Sequence, residues 1–128
     1  MNWIRPTTRL AIYLRDGMAC TWCGYAAEDG AQLTLDHCKP RSKGGDNTPK
    51  NLVTACFKCN ASRGTRSLVA FSKVVASYIN YEVNAEDIRT HITTCRRRAL
   101  TKYQREARDL MSRRGPVGTK MTSAIKAR

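Results

Sequence analysis

Apolar positions recur with two different periods along the chain, and these periods predict which segments form helices and which form strands. A first helix is expected up to Asp16, with Thr7 or Thr8 as its N-cap and Gly17 as its end. Alternating positions then predict two strands, of which the first ends near His37. The predicted elements are, in order, a helix over residues 9–16, strands over 32–36 and 52–55, a short helix over 60–63 and a helix over 67–80.

A longer helical stretch is predicted in the C-terminal half of the chain. Asn84 followed by acidic residues is typical of a capped helix start, because negative charge is favourable at a helix N-terminus. Apolar residues continue at helical spacing until Gly115 and the following proline end the pattern. The sequence therefore predicts three segments: a core over residues 1–80, a basic helical extension over 81–114 and a disordered basic tail over 115–128.

Four of the six cysteines form two CxxC pairs that are separated by 32 residues. Such pairs are typical of a tetrahedral zinc site, because a two-residue gap lets both thiolates face one ion. Four thiolates leave no open position for water, so we expect one structural Zn²⁺ per chain; a disulfide within each pair is the alternative. Cys38 and Cys95 are interpreted as small buried hydrophobic residues. The predicted ligands are Cys20, Cys23, Cys56 and Cys59.

The charge of the chain is strongly positive. Among 128 residues, 23 Lys and Arg oppose 10 Asp and Glu, which gives a net charge of +13 with neutral histidines. Basic side chains that neutralise phosphates release counterions, so nucleic acid is the predicted partner, ahead of an anionic membrane surface. No apolar run approaches the length that spans a bilayer, and the N-terminus lacks the pattern of a secretory leader. We expect a cytoplasmic protein that is neither secreted nor membrane-bound.

Residues between the cysteine pairs offer the groups that phosphodiester hydrolysis requires. An unperturbed imidazole titrates near neutral pH, so His37 is the predicted general base that takes a proton from water. Asp36 and Asn60 supply hard oxygen ligands of the kind that Mg²⁺ or Mn²⁺ prefers. Taken singly, Asp36 and His37 could be a hydrogen-bonded structural pair, and Asn51 and Asn60 could be turn and cap residues.

The order of these residues resembles the HNH nuclease family, in the form with a CxxC zinc knuckle on either side of the active site. The resemblance covers residues 9–66 and rests on a strand ending in Asp-His, a Pro and Gly-Gly loop, Asn-Leu and CxxC-Asn. It implies an α+β fold: a small zinc-stapled, treble-clef-like ββα-metal core with an N-terminal helix and a C-terminal helical extension. It also implies that Asp36 and Asn60 hold one Mg²⁺ or Mn²⁺, and that Asn51 orients the general base His37. Asn60 stands where the family name has its last His, a variant that the family contains.

The resemblance implies a metal-dependent endonuclease that nicks or cuts DNA and leaves a 5′-phosphate and a 3′-hydroxyl, as in small phage or mobile-element HNH proteins. The alternatives are a non-catalytic zinc-knuckle protein that binds DNA or RNA and a structural zinc protein of a ribonucleoprotein. Both a monomer and a homodimer are compatible with the sequence. Basic residues beside the site and in the C-terminal half are predicted to contact the DNA backbone: Lys39, Arg41, Lys43, Arg63, Arg66, Arg96, Arg97 and Arg98.

Overall fold

The computed structural model of the chain describes residues 3–79 and 82–113, which form five helices and one antiparallel hairpin. This arrangement confirms the predicted α+β fold class. The predicted tail over residues 115–128 lies outside the described residues. The elements are α1 (Pro6–Arg15), β1 (Leu33–His37), β2 (Leu52–Cys56), α2 (Phe57–Arg63), α3 (Leu68–Tyr78), α4 (Ala85–Arg97) and α5 (Thr101–Ser112).

The hairpin and α2 form the ββα unit of the fold. Residues Leu33 and Cys56 pair at one end of the hairpin, and His37 and Leu52 pair at the other. Helix α2 follows β2 without a connecting loop, because Cys56 itself acts as the N-cap and its sulfur accepts from the amide of Cys59. The second CxxC pair therefore sits at the junction of β2 and α2.

Helix α1 starts two residues earlier than the threonines suggest. Its N-cap is Arg5, and neither threonine caps it, so the predicted Thr7 or Thr8 N-cap is wrong. Pro6 occupies the first helical position, where a missing N–H costs nothing and the fixed φ favours the helix. The predicted end is confirmed: Gly17 adopts a φ of 79°, in the left-handed region that favours glycine.

The predicted long helical stretch is divided into two helices, so a continuous helix from Asn84 to Gly115 is wrong. Asn84 caps α4 through a capping box with Asp87, as the acidic first turn indicates. The chain leaves the helix at Arg98, whose ψ of 133° is extended, and α5 then packs against α1. The break lets each short helix bury its own apolar face, which one straight helix could not do against this small core.

Three buried clusters hold these elements together. The largest lies on the side of the hairpin that faces α3 and α4, and it includes Trp22, Phe71 and Ile92. A second cluster joins α1 to α5, and a third places Ile12 of α1 against the hairpin. Within the described residues, no helix combines the length and apolar character needed to cross a bilayer.

A buried ion pair fastens α1 to β2. Arg15 Nε lies 2.7 Å from Asp16 Oδ1, and both side chains are almost fully buried. Asp16 Oδ2 accepts from the amide of Thr54 at 2.8 Å, while the Arg15 guanidinium donates to the carbonyl of Leu52 at 2.7 Å. Arg98 donates to the carbonyl of Arg15 at 2.8 Å, so the same cluster also holds the end of α4.

We predict that Leu110→Ala destabilises the protein by about 2–5 kcal/mol, because Leu110 fills the buried contact between α5 and α1 and truncation leaves a cavity. Arg108→Ala on the exposed side of α5 is the matched control and should have little effect. Urea unfolding curves of the two variants measure the difference. Equal stability of both variants would show that α5 does not pack on α1.

Candidate metal and catalytic sites

The four cysteines of the two CxxC pairs meet at one point. Their sulfur atoms all lie within 4.8 Å of one another, and Cys23 Sγ is 3.8 Å from Cys56 Sγ. Tetrahedral zinc with Zn–S bonds of about 2.3 Å separates its sulfurs by about 3.8 Å, so the four positions fit the ion that four thiolates favour. Hydrogen bonds among the neighbouring thiols, that with Cys20 first, lower the pKa of Cys23, and hydrogen bonds within the same cluster raise the pKa of Cys20 and of Cys59.

The remaining two cysteines lie apart from this cluster. Both are buried free thiols, and burial raises the pKa of Cys38 and that of Cys95 to about 11. Thiols that are desolvated and protonated are poor nucleophiles and poor ligands. Their positions agree with the interpretation of these residues as small hydrophobic side chains.

His37 lies at the end of β1, beside the loop that connects the strands. Its Nε2 is 2.8 Å from Asn47 Oδ1, and its ring lies 5.1 Å from the ring of Trp3. When the Asn47 oxygen accepts, Nε2 carries the proton, and Nδ1 keeps the lone pair that could take a proton from water. Neither Asn47 nor Trp3 is among the site residues predicted from the sequence; the signal for Asn47 is its position directly after Gly-Gly-Asp.

Asn51 fastens the loop that carries Asn47. Its side-chain oxygen accepts from the amide of Lys39 at 2.9 Å, and its Nδ2 donates to the carbonyls of Lys39 and Asp46 at 3.1 and 2.8 Å. Gly45 makes this closure possible, because a Cβ there would lie 1.7 Å from the Lys39 carbonyl oxygen. Asn51 therefore acts on His37 only indirectly, through the loop.

Asp36 is buried in an ion pair with Arg63. Arg63 donates to Asp36 Oδ1 at 2.8 Å, and the indole of Trp22 donates to Oδ2 at 2.9 Å. Arg63 also donates to the carbonyls of His37 and Cys38, and its guanidinium lies over the Trp22 ring. With only 1% of its surface exposed, Arg63 is not available to a phosphate, so its prediction as a DNA-backbone clamp is wrong.

The predicted catalytic residues lie on two sides of β1. Asn60 donates to the hydroxyl of Thr34 at 3.0 Å, and Thr34 shares a strand face with Asp36. His37 continues the strand without a break and points to the opposite face. Asp36 and Asn60 are thus brought to one side, whereas the imidazole is directed away from them toward Asn47 and Trp3.

This arrangement does not fit a divalent ion held by Asp36 and Asn60. Both carboxylate oxygens of Asp36 already accept hydrogen bonds, and the guanidinium of Arg63 neutralises the charge that would attract the ion. A cation at Oδ1 would lie against a second buried positive charge, which is strongly unfavourable. We therefore assign Asp36 to the buried ion pair with Arg63 and not to the binding of a divalent ion.

The other residues predicted to contact DNA differ in their exposure and in the hydrogen bonds that their side chains make within the chain. Lys39, Arg41 and Arg97 are exposed, and Arg96 is half-buried with its Nε bonded to the carbonyl of Lys50 at 2.6 Å. The remaining three are exposed as well, and each donates to a main-chain carbonyl of its own chain: Lys43 to that of Thr65, Arg66 to that of Ser62 and Arg98 to that of Arg15.

Residues 20–66 match the family model described as HNH endonuclease. The match spans both cysteine pairs, the hairpin with its loop, and α2. No curated protein and no solved structure matches the chain. The predicted HNH resemblance is thus confirmed for residues 20–66, whereas residues 9–19 of the predicted range and the helices α1, α3, α4 and α5 lie outside the match.

We predict one tightly bound zinc ion per chain and loss of the fold in Cys20→Ser or Cys56→Ser. Structural zinc contributes about 10–16 kcal/mol in zinc-finger peptides, which rivals the whole stability of a small domain. Cys38→Ala and Cys95→Ala are matched controls that should keep the ion. Elemental analysis of natively purified protein measures the stoichiometry, and a metal-free folded protein would contradict the assignment.

We also predict that Asp36→Asn destabilises the fold by about 3–5 kcal/mol, because it leaves the buried charge of Arg63 uncompensated. Asp109→Asn is the matched control: its ion pair with Arg113 is exposed and should contribute little. Thermal and urea unfolding compare the two variants. An Asp36→Asn protein that is as stable as the wild type but no longer responds to Mg²⁺ or Mn²⁺ would show instead that Asp36 is a metal ligand.

Proposed function

We propose that this chain, whose residues 20–66 form an HNH endonuclease domain, hydrolyses phosphodiester bonds of DNA. The observation that carries the proposal is the imidazole of His37, held at Nε2 by Asn47 within the segment that matches the family. The net charge of +13 supports a polyanionic substrate. Zinc at the four cysteines is structural in this proposal, because a closed four-thiolate site leaves no position for water or substrate.

His37 acts as the general base in this reaction. Its Nδ1 takes a proton from water while the water oxygen attacks phosphorus and the P–O3′ bond breaks. The 3′ oxygen leaves and takes a proton from a solvent water to become a hydroxyl, and the phosphate stays on the 5′ oxygen of the other fragment, which gives the 5′-phosphate end that the family resemblance implies. Asn47 fixes the ring so that Nδ1, rather than Nε2, carries the lone pair.

Mg²⁺ or Mn²⁺ is the ion that the family resemblance predicts, and it forms a separate part of the proposal. Of the two predicted oxygen ligands, Asn60 is the one whose side-chain oxygen is not bound to a buried cation, since its bonds to the Thr34 hydroxyl and the Leu35 carbonyl are made by Nδ2. Asp36 could join it only if Arg63 left Oδ1. Plasmid nicking with and without added Mg²⁺ or Mn²⁺ tests the requirement.

A second candidate function is a zinc-knuckle protein that binds DNA or RNA without cutting it. The observation in its favour is the Asp36–Arg63 ion pair, which occupies a carboxylate that the predicted metal site would need. The nicking assay separates the two functions. DNA binding with intact plasmid at every divalent-ion concentration would favour the binding module.

We predict that His37→Ala lowers plasmid nicking by about 10²- to 10⁴-fold while DNA affinity stays close to that of the wild type. The imidazole is assigned to proton transfer and not to charge neutralisation. His91→Ala, at the exposed histidine of α4, is the matched control and should nick normally. Full activity of His37→Ala would remove His37 from the mechanism.

Asn47→Ala should lower kcat with little change in KM, because it frees the imidazole without removing a substrate contact. Asn47→Asp keeps an acceptor oxygen at this position and should retain more activity than Asn47→Ala. Thr48→Ala controls for a general disturbance of the loop, since the Thr48 hydroxyl donates to Asp46 and not to Asn47. Equal kcat for Asn47→Ala and the wild type would show that the contact with Nε2 has no role.

A further inference from the structure

Two neighbouring cavities lie between the loop beside His37 and the C-terminal end of α4. The first, of about 320 Å³, is lined mainly by the loop between β1 and β2, together with Arg96. The second, of about 360 Å³, is lined by Lys50, Thr93, Arg96 and Arg97. Because Lys50 and Arg96 line both cavities, the two form one continuous surface. We call it the basic groove, defined by Lys39, Lys50, Arg96 and Arg97.

The charge of the basic groove is almost entirely positive. Four cations line the two cavities, and Asp46 is the only acidic residue in their linings. The carboxylate of Asp46 accepts from both the hydroxyl and the amide of Thr48, and these bonds lower its pKa. The Asp46 carboxylate therefore stays ionised, but the four cations outnumber it, so the groove presents a net positive surface to solvent.

Hydrogen bonds within the chain hold both rims of the groove in place. On the helix side, the 2.6 Å bond from Arg96 Nε to the carbonyl of Lys50 joins α4 to the turn before β2. On the loop side, Asn51 fixes both main-chain groups of Lys39. A preorganised arrangement of cations loses less conformational entropy when an anion binds, which favours it as a binding surface.

We propose that the basic groove binds the phosphate backbone of the DNA strand next to the phosphate that His37 attacks. This inference rests on the proposed nuclease function and deepens it. The loop that forms one rim of the groove also carries Asn47, which contacts His37, so a backbone in the groove continues toward the imidazole. Half of the site comes from α4, which lies outside the HNH match.

The groove also separates the predicted arginine contacts into two groups. Arg96 and Arg97 line it, whereas Arg98 donates to the carbonyl of Arg15 and Arg63 is buried against Asp36. Three consecutive arginines therefore do not act alike. The first two are expected to bind phosphate in the groove, whereas Arg98 is exposed but is not one of the residues that line the groove.

The test compares Lys50→Gln and Arg97→Gln with two matched controls in the full-length, zinc-loaded protein. Lys73→Gln on α3 and Arg105→Gln on α5 remove the same charges from exposed positions outside the groove. Arg96 is left intact because its bond to Lys50 holds the rim. Zinc content and melting temperature establish that every variant is folded.

Binding to a fluorescent DNA duplex is measured from 50 to 200 mM NaCl without added divalent ions. Each lost phosphate contact should reduce the slope of log K against log[salt] by about 0.9, so each groove variant should lose about 0.9, a protein carrying both Lys50→Gln and Arg97→Gln should lose about 1.8, and the controls should match the wild type. Groove variants whose slopes equal those of the controls would overturn the proposal. So would loss of binding to phosphatidylserine vesicles with unchanged DNA binding, which would assign the groove to a lipid surface.

Plasmid nicking by the same proteins distinguishes this inference from the proposed function. Reduced slopes in the groove variants, together with a wild-type protein that binds but never nicks, would reject the nuclease and retain the groove. Normal nicking by the wild type with slopes that do not differ between groove and control variants would reject the groove and retain the nuclease.

Discussion

A hairpin of two strands buries too little surface to be stable by itself, and every other element of this protein compensates for that limit. Helix α1 covers one face, where Ile12 packs against Leu35 and Leu52. The opposite face is covered by Trp22, α2 and the two helices that follow. The four cysteines close one end of the hairpin, which leaves the other end, at His37, as the place where a loop can carry chemistry.

Buried ion pairs position the parts that hydrophobic contacts alone would leave free to slide. Arg15 and Asp16 bind main-chain groups of β2, and Arg63 binds Asp36 together with two carbonyls that follow it. Desolvating such charges is costly, and each is acceptable here because its hydrogen bonds are satisfied. Among the described residues, no buried side-chain nitrogen or oxygen lacks a partner. Specific main-chain partners fix register in a way that apolar packing does not.

The ion pair between Asp36 and Arg63 also determines which side of β1 is available for the proposed reaction. Because Arg63 binds Asp36, the side of β1 toward α2 holds a structural ion pair. The proposed general base, His37, lies on the opposite side of the strand, where its ring contacts Asn47. The imidazole then depends on the loop, and the loop depends on Asn51 and on the end of α4 through Lys50. Helix α4, which lies outside the matched segment, thus contributes two of the four cations of the groove that we propose binds DNA.

The sequence by itself determined the features that depend on local spacing: the zinc ligands, the two strands, the capped start of α4 at Asn84 and the HNH segment. A CxxC pair or an alternating strand needs only neighbouring residues, so it is visible without a fold. The tertiary structure alone decided which charges are available. Arg63 and Arg97 are equally basic in sequence, yet one is buried against Asp36 and the other lines a groove. Likewise, Asn47 meets His37 only because the loop closes, since contacts between distant residues depend on packing, which no local pattern encodes.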